Sequence, residues 1–478
     1  VEFPSNGVLA ENMITDIYGQ DGKLLLTYKA DKEEIKPLPN PAEAAKDPKE
    51  IASIEQLFLT GLHLEQYRHA TYNPMDYYEE ALSREPGDVR CNNAMGLLWM
   101  RKGEFAKAEA HFRTAIKTLT QRNPNPYDGE PYFNLGWSCR MQGKIDEAYD
   151  AFYKAAWNAA WQDASYFEIA RIETIRGEYE KALESVEKSL TRNWHHHKAR
   201  QLKCSLLRKM KYNEKAVAFA DASLEIDSFN MGCRYERYLA SGENSDLEKL
   251  KELMRDWSHG YIEYALDFVA GGLYEEAAGL LGLYLQDTEK VYPIIYYLLG
   301  YICMKQGNPS LAQEYFIKAE KCDPAYCFPN RIEEVLILQE AVRQNPSDAK
   351  AFYYLGNFWY ASRRYENAVS CWEQSATIDP EFPTVWRNLS LAYYNKCNNR
   401  EKAVATLEKA FALDNTDARI LMELDQLYKK LGRPYAERLT FLEKHAALVE
   451  SRDDLALERI TLYNQLGRYS EAKALLAA

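Results

Sequence analysis

Apolar residues recur at helical spacing in this chain and are interrupted at regular intervals by helix-breaking residues. Ala312, Phe316 and Ala319 stand at i, i+4 and i+7, which places them on one face of a helix. The tripeptide Gly307-Asn308-Pro309 ends the preceding helix and begins this one, because Pro is tolerated in a first helical turn. The residue before Pro324 avoids helical angles and ends it. This segment therefore predicts two short helices joined by a tight turn.

The same register returns along most of the chain, usually every 34 to 36 residues. A small or apolar residue marks the first helix of each unit, at Gly61, Gly96, Gly136, Ala170, Cys204, Ala265, Gly300, Gly356, Ser390, Leu424 and Ile460. Three steps are longer than the others. They predict a long loop at 123–131, a shortened unit near 231–256 and an extra helix near 331–344.

This recurring pattern resembles the tetratricopeptide repeat (TPR), a helix–turn–helix unit that stacks into arrays. The resemblance implies an all-α fold, a right-handed superhelical TPR solenoid of about 11–12 units with a short N-terminal β-hairpin. The domain boundaries that we expect are a hairpin and Pro-rich linker at 1–50, an N-terminal array at 51–230, irregular repeats at 231–290 and a C-terminal array at 291–478. The strong curvature of such an array should bring distant repeats near each other.

The first 50 residues have a different pattern. Residues 12–18 and 24–29 flank Asp21-Gly22, which is a strong signal for a β-hairpin. An isolated hairpin is marginal in water, so one interpretation is that it ends a β-rich domain preceding this chain. Segments 63–69, 123–131 and 424–430 look like bacterial TPR proteins in which a β-rich domain of unknown function precedes the array. That resemblance implies a bacterial origin and a carbohydrate-related context.

In TPR arrays the first helix of each unit lines the concave face, and the repeat register assigns residues to it. The candidate binding residues are Trp137, Arg140, Arg171, Tyr297, Tyr301, Tyr353, Asn357, Tyr360, Arg387 and Tyr394. Such a face is aromatic and mixed polar. Two interpretations stay open: these rings pack between neighbouring repeats, or they form a stacking surface for a peptide or a sugar.

Two further patterns bear on the type of ligand. Asn357 and Asn388 match part of the clamp with which chaperone-binding TPRs hold a C-terminal carboxylate, but Tyr353 replaces its Lys and the third-unit cations are missing. The segment His63, Glu65, Arg68 and His69 is a candidate junction site, because Glu65 and His69 share a helix face if the helix extends that far. No third metal ligand can be assigned to it, and we expect neither a metal nor a cofactor.

Composition narrows the class of protein. The chain has 478 residues, 59 basic and 71 acidic side chains and a formal net charge of −12. This acidic balance argues against nucleic acid as the partner, because nucleic acid binds to a basic protein surface. The absence of an apolar run of about 20 residues argues against a membrane span. Nine scattered Cys indicate free thiols in a reducing compartment, and we expect a cytoplasmic location.

No Walker loop, zinc-protease, nucleophile-elbow or dinucleotide motif occurs. We therefore expect a non-enzymatic scaffold that binds a protein or peptide on the concave aromatic face. The alternative is a carbohydrate-related protein, in which the solenoid supports a sugar-active or sugar-binding β-domain before this chain. Under that alternative the partner is an oligosaccharide and any enzymatic activity is directed at glycosides.

Overall fold

The computed structural model describes residues 12–30, 43–67, 69 and 71–477. Arg68 and residues 31–42 of the expected linker lie outside the described residues. The chain divides into two compact units, Val1–Ile51 and Ala52–Ala478.

The first unit contains the expected β-hairpin. Strand β1 (Ile14–Tyr18) pairs antiparallel with β2 (Leu24–Lys29), and Ile17 lies opposite Leu26 in the register. Gly22 lies in the left-handed region of the turn, with φ of 76°. All the strand side chains are exposed, including the apolar ones. In the described part of this unit the hairpin is the whole β-structure.

The second unit is an array of paired helices, as expected. In chain order the helices are α1 (Ile54–Gln66), α2 (Pro74–Arg84), α3 (Val89–Arg101), α4 (Phe105–Leu119), α5 (Glu130–Met141), α6 (Ile145–Ala155), α7 (Gln162–Ile175), α8 (Tyr179–Arg192), α9 (His197–Lys209), α10 (Asn213–Ile226), α11 (Met231–Ser241), α12 (Asn244–Met254), α13 (Ser258–Ala270), α14 (Tyr274–Asp287), α15 (Pro293–Lys305), α16 (Pro309–Lys321), α17 (Ile332–Gln344), α18 (Ala349–Ala361), α19 (Tyr365–Ile378), α20 (Pro383–Asn395), α21 (Arg400–Leu413), α22 (Ala418–Lys430), α23 (Tyr435–Lys444), α24 (Ala446–Glu450), α25 (Asp453–Gln465) and α26 (Tyr469–Ala477).

Helices α1 to α16 form eight successive pairs within the described residues, and most later helices pair in the same way. Two helices depart from this pattern. Helix α17 stands alone in the chain order and packs against α15 and α18, and the short α24 follows α23. The pair α11 and α12 has only 11 residues in each helix. No helix among the described residues is long and apolar enough to cross a membrane.

Side-chain caps and close packing explain the repeated unit. Asp348 accepts a hydrogen bond from the Ala351 backbone N–H at the start of α18, and Asn308 does the same for Leu311 at the start of α16. Within a pair, a glycine of the first helix lies against an aromatic ring of the second. A Cβ atom added at Gly136 would lie only 2.6 Å from the Phe152 ring. The small residue of the repeat is therefore required by the close approach of the two helices.

Distant repeats come into contact within Ala52–Ala478, as the sequence led us to expect. The Arg364 guanidinium donates to the Lys102 carbonyl oxygen at 3.0 Å and pairs with the Glu104 carboxylate at 2.8 Å. Gly103 lies close to the Trp359 ring in the same place. These contacts join the turn between α3 and α4 to the turn between α18 and α19, 262 residues along the chain. A second such contact, between α5–α7 and α13, is described next.

Candidate functional site

The predicted binding residues of α5 and α7 are held in a buried network of charges. Glu168 of α7 accepts from Arg140 of α5 and, at 2.9 Å, from Arg171 of its own helix. Arg171 also donates to Asp267 of α13 at 2.8 Å, and Arg140 donates to the Ala270 carbonyl oxygen. The side chains of Arg140 and Glu168 are only 9% and 4% exposed. Both arginines are thus bound to another part of the chain, 96 to 130 residues away.

Aromatic rings complete this network. The Arg171 guanidinium lies 4.1 Å from the Phe167 ring centroid, and Arg140 lies 5.4 Å from that of Trp137. Desolvation by burial lowers the pKa of Arg140, although the nearby Glu168 carboxylate opposes the change. Trp137 keeps part of its surface exposed, whereas Arg140 and Arg171 present little to a ligand in this structure.

In α15 the two predicted tyrosines have different surroundings. Tyr297 has no exposed surface, and its hydroxyl donates to the Asp348 carboxylate at 2.9 Å. Tyr297 therefore packs inside the array and offers no surface to a ligand. Desolvation raises the pKa of Asp348 to about 6, against the opposing hydrogen bonds from Ala351 and Tyr297. Tyr301 is half-buried, with the Lys305 ammonium 5.0 Å from its ring centroid.

The first helices α18, α20 and α22 bring the remaining predicted residues together. Asn388 of α20 donates to the Asn357 side-chain oxygen of α18 at 3.2 Å. Arg387 of α20 forms a two-pronged pair with Glu423 of α22, which Arg419 also contacts at 3.3 Å. Two hydrogen-bonded pairs of side chains, Asn357 with Asn388 and Arg387 with Glu423, thus link three successive repeats. We call Asn357, Asn388, Arg387 and Glu423 the polar row.

Three tyrosines belong to the same helices as the polar row. Tyr353 is 5% exposed and packs against Phe382, with ring centroids 4.9 Å apart, so packing is its main role. Tyr360 and Tyr394 are half-buried. The Tyr360 ring contacts Trp372 and Tyr365, and the Lys430 ammonium lies 5.3 Å from the Tyr394 ring centroid. Tyr360 and Tyr394 keep surface that a ligand can contact.

Two family models described as tetratricopeptide repeat match residues 294–326 and 337–383. These two segments match tetratricopeptide repeats. Helices α18 and α19 lie within the second match, and α15 and α16 lie within the first except for Pro293.

Three solved structures illustrate the similarity of the TPR array to known folds. A tetratricopeptide repeat protein from Parabacteroides merdae ATCC 43184 is 17% identical, over 67% of this chain and 98% of that one, with a TM-score of 0.29. YrrB, a TPR protein with an unusual peptide-binding site, is 22% identical over 50% and 97%, with a TM-score of 0.19. Pseudomonas aeruginosa pilF is 20% identical over 46% and 88%, with a TM-score of 0.28. At these values the similarity carries no information on the ligand of this chain.

The predicted junction site near the first TPR helix is not assembled in the expected way. Helix α1 ends at Gln66, so Glu65 and His69 do not share a helix face. Glu65 instead pairs with Arg101 at 2.5 Å, and the exposed His63 ring lies against Tyr67. His69 accepts hydrogen bonds from the backbone N–H groups of Thr71 and Tyr72 at 3.2 and 3.1 Å. These hydrogen bonds make His69 part of a turn. Arg68 lies outside the described residues.

Two features of the TPR array were not found from the sequence. Glu109, Cys139 and Glu147 offer three ligand atoms within 4.8 Å of one another, although their residues lie in three different helices. Lys144 and Arg113 already pair with Glu109 at 2.7 and 2.8 Å, so its charge is balanced by side chains. The second feature is a cleft between the loops that follow α4 and α6. Its one sequence signal is the surplus length of the loop at 123–131.

Proposed function

We propose that this chain is a non-enzymatic scaffold that binds a protein segment along the first helices of its C-terminal repeats. TPR arrays typically bind proteins or peptides on the surface of these helices. The observation that carries the proposal is the polar row, which links α18, α20 and α22 by side-chain hydrogen bonds and remains partly exposed. The backbone N–H and C=O groups of an extended peptide need hydrogen-bond partners. Amide and carboxylate side chains held at the spacing of the repeats can supply them.

The charge balance of the polar row supports a peptide that is not strongly charged. Desolvation acts to lower the pKa of Arg387, but hydrogen bonding to Glu423 outweighs it and raises this pKa, so the four side chains of the polar row carry no net charge. Tyr360 and Tyr394 add partly exposed aromatic surface beside the amides. Aromatic side chains supply much of the binding energy at protein interfaces. We therefore expect a ligand with apolar side chains spaced along a neutral backbone.

The alternative of a carbohydrate-related protein gains no observation here. Its β-domain would precede this chain, and the described residues of the first unit supply one two-stranded hairpin. The candidate junction residues Glu65 and His69 make contacts with other parts of the array.

The test is selection of random peptides displayed on phage against the full chain. We expect enriched peptides whose affinity falls at least about tenfold, or 1.4 kcal/mol, in the double variant Asn388→Ala/Tyr394→Ala. The matched control is Tyr435→Ala, since Tyr435 is a 49% exposed tyrosine that lies on the second helix of a later repeat. Peptides that bind the double variant as tightly as the unmodified chain would contradict the proposal. So would a library from which no peptide is enriched.

A further inference from the structure

A second recess lies away from the polar row, at the loops that connect successive repeats. The loop after α4 and the loop after α6 enclose an open cleft of about 650 Å³. We call it the loop cleft. Its lining includes three aromatic rings and three polar side chains, namely Tyr127, Tyr132, Trp157, Asn125, Asn158 and Lys154.

Several contacts hold the two loops in a fixed relation. The Asn158 side-chain amide donates to the Tyr127 carbonyl oxygen, and the Lys154 ammonium donates to the Asn125 side-chain oxygen at 2.7 Å. Gly129 allows the loops to approach, because a Cβ atom there would lie 2.9 Å from the Asn158 Cβ and 3.0 Å from the Ala155 carbonyl oxygen. The loop cleft is therefore shaped by cross-loop bonds and not only by the gap between two repeats.

Two aromatic rings of the loop cleft are largely open to solvent. Tyr127 is 97% exposed and Trp157 is 60% exposed. The Lys154 ammonium lies 3.8 Å from the centre of the Trp157 ring. Burial of a large aromatic ring away from water is stabilising. The fold of the repeats does not require these two rings to face the solvent. Exposed rings on an inserted loop indicate a surface that is covered by a ligand.

The hydrogen-bonding groups of the loop cleft indicate which kind of ligand fits. Three of its side-chain acceptors each have a partner: the Asn125 oxygen accepts from Lys154, the Asn158 oxygen from the Ala160 N–H at 3.0 Å, and one Asp128 oxygen from the Glu130 N–H at 2.9 Å. The polar groups of its three aromatic rings have none in the part of the chain that the structure describes. Within the described residues, no hydrogen bond engages the Tyr127 or Tyr132 hydroxyl or the Trp157 indole N–H. A ligand that matches this site is rich in acceptors and poor in donors.

We propose that the loop cleft binds a proline-rich peptide in the polyproline II conformation. Proline has no backbone N–H, so such a peptide presents carbonyl acceptors and apolar rings and few donors. Aromatic-lined grooves with indole and hydroxyl donors are the recurring surface for these peptides. An oligosaccharide carries a donor on every hydroxyl and needs more acceptors than a proline-rich peptide does. This site is separate from the polar row and does not depend on the function proposed for it.

The experiment measures binding of a fluorescein-labelled nonaproline peptide to the full chain by fluorescence anisotropy. We expect saturable binding that weakens at least about tenfold in Tyr127→Ala and in Trp157→Ala. The matched controls are Tyr326→Ala and Trp257→Ala, because these residues are 88% and 64% exposed in other inter-repeat loops. Both controls, and Asn388→Ala in the polar row, should bind like the unmodified chain. Gly129→Ala should also weaken binding, because it forces the two loops apart.

Three results would overturn the proposal. The first is no saturable binding of nonaproline, or equal binding of a labelled Gly-Ser peptide of the same length. The second is equal loss of binding in the control variants or in Asn388→Ala, which would place the peptide elsewhere. The third is tighter binding of a labelled hexasaccharide such as cellohexaose or chitohexaose that is lost in Tyr127→Ala, which would make the loop cleft a carbohydrate site. Circular dichroism of each variant separates loss of binding from loss of folding.

Discussion

Two glutamates in this array each pair with two arginines, but their surroundings differ. Glu168 lies between Arg140 and Arg171, and Glu423 lies between Arg387 and Arg419. The first carboxylate is 4% exposed, and its arginines also bind α13 of a distant repeat. The second is 15% exposed, and its hydrogen bonds reach only its own and the preceding repeat.

The comparison shows that equivalent positions on the first helices of a repeat array can have different surroundings. Near α5 and α7, helix α13 contacts two of the side chains that the repeat register predicts for ligand binding. Along α18, α20 and α22, the contacts are between neighbours and leave partly exposed side chains. The repeat register identifies the positions, while long-range contacts decide which of them are available for binding.

The largest expected effect separates the two glutamates by stability. Glu168→Ala leaves the buried Arg140 without its carboxylate partner and Arg171 with Asp267 alone, and breaking a buried ion pair in this way costs about 3–5 kcal/mol. Glu423→Ala should cost about 1 kcal/mol or less, because water screens the two arginines that it leaves. The measurement is urea unfolding of each variant followed by circular dichroism. Equal losses for the two substitutions would show that the two sites do not differ.

A buried acid beside α15 adds a pH dependence to the comparison. The pKa of Asp348 is raised from 3.8 to about 6 in the folded chain, mainly by desolvation. Between pH 4 and 6 the folded chain therefore binds more protons, so stability falls as pH rises through this window, by on the order of 2 kcal/mol from this group. Asp348→Asn keeps the cap of α18 and should lack this component.

The comparison of unfolding free energies at pH 4, 5, 6 and 7 isolates the Asp348 contribution from all other titrating groups. A difference in unfolding free energy between Asp348→Asn and the unmodified chain that stays constant with pH would refute the assignment of this pH dependence to Asp348. Asp348→Ala serves as the control for the cap itself. It should destabilise the chain at every pH, because the Tyr297 hydroxyl then lacks its acceptor in a buried site.

Helix packing should not differ between the two regions, and this provides an internal check. Gly136→Ala would press against Phe152, and Gly356→Ala would press against Trp372. Overpacking of this kind costs about 1–3 kcal/mol. We expect similar losses of unfolding free energy for both, measured by urea titration. A loss in one region alone would mean that the difference between the glutamates reflects regional stability rather than the buried charges.

The smallest expected effect concerns the contact between α18–α19 and α3–α4. Arg364→Ala removes the bonds to the Lys102 carbonyl and Glu104, and the side chain is 16% exposed, so the expected cost is about 1 kcal/mol. Hydrogen–deuterium exchange should become faster in peptides that cover residues 102–104, although the substitution is 262 residues away. The exposed Arg400→Ala in α21 is the control and should leave these peptides unchanged.

Much of the fold could be predicted from the sequence, because short-range patterns determine it. The spacing of Ala312 and Phe316 and the break at Gly307 predicted the helix pairs, and Asp21-Gly22 predicted the hairpin. The candidate site was harder to predict, because it depends on contacts between side chains that are distant in sequence. Nothing in the neighbourhood of Arg171 shows that Asp267 will bind it, and a helical register alone placed the fully buried Tyr297 on a binding face.

The central claim is that Asp267 of α13 binds Arg171 of α7, so that the chain itself engages this predicted binding residue. A double-mutant cycle on Arg171→Ala and Asp267→Ala tests it directly, with native-state hydrogen exchange of the α7 amides reporting the free energy of local opening. We predict that the two substitutions are coupled by about 1–3 kcal/mol. Effects that add to within about 0.3–0.5 kcal/mol would contradict the account, since they would show that the two residues do not interact.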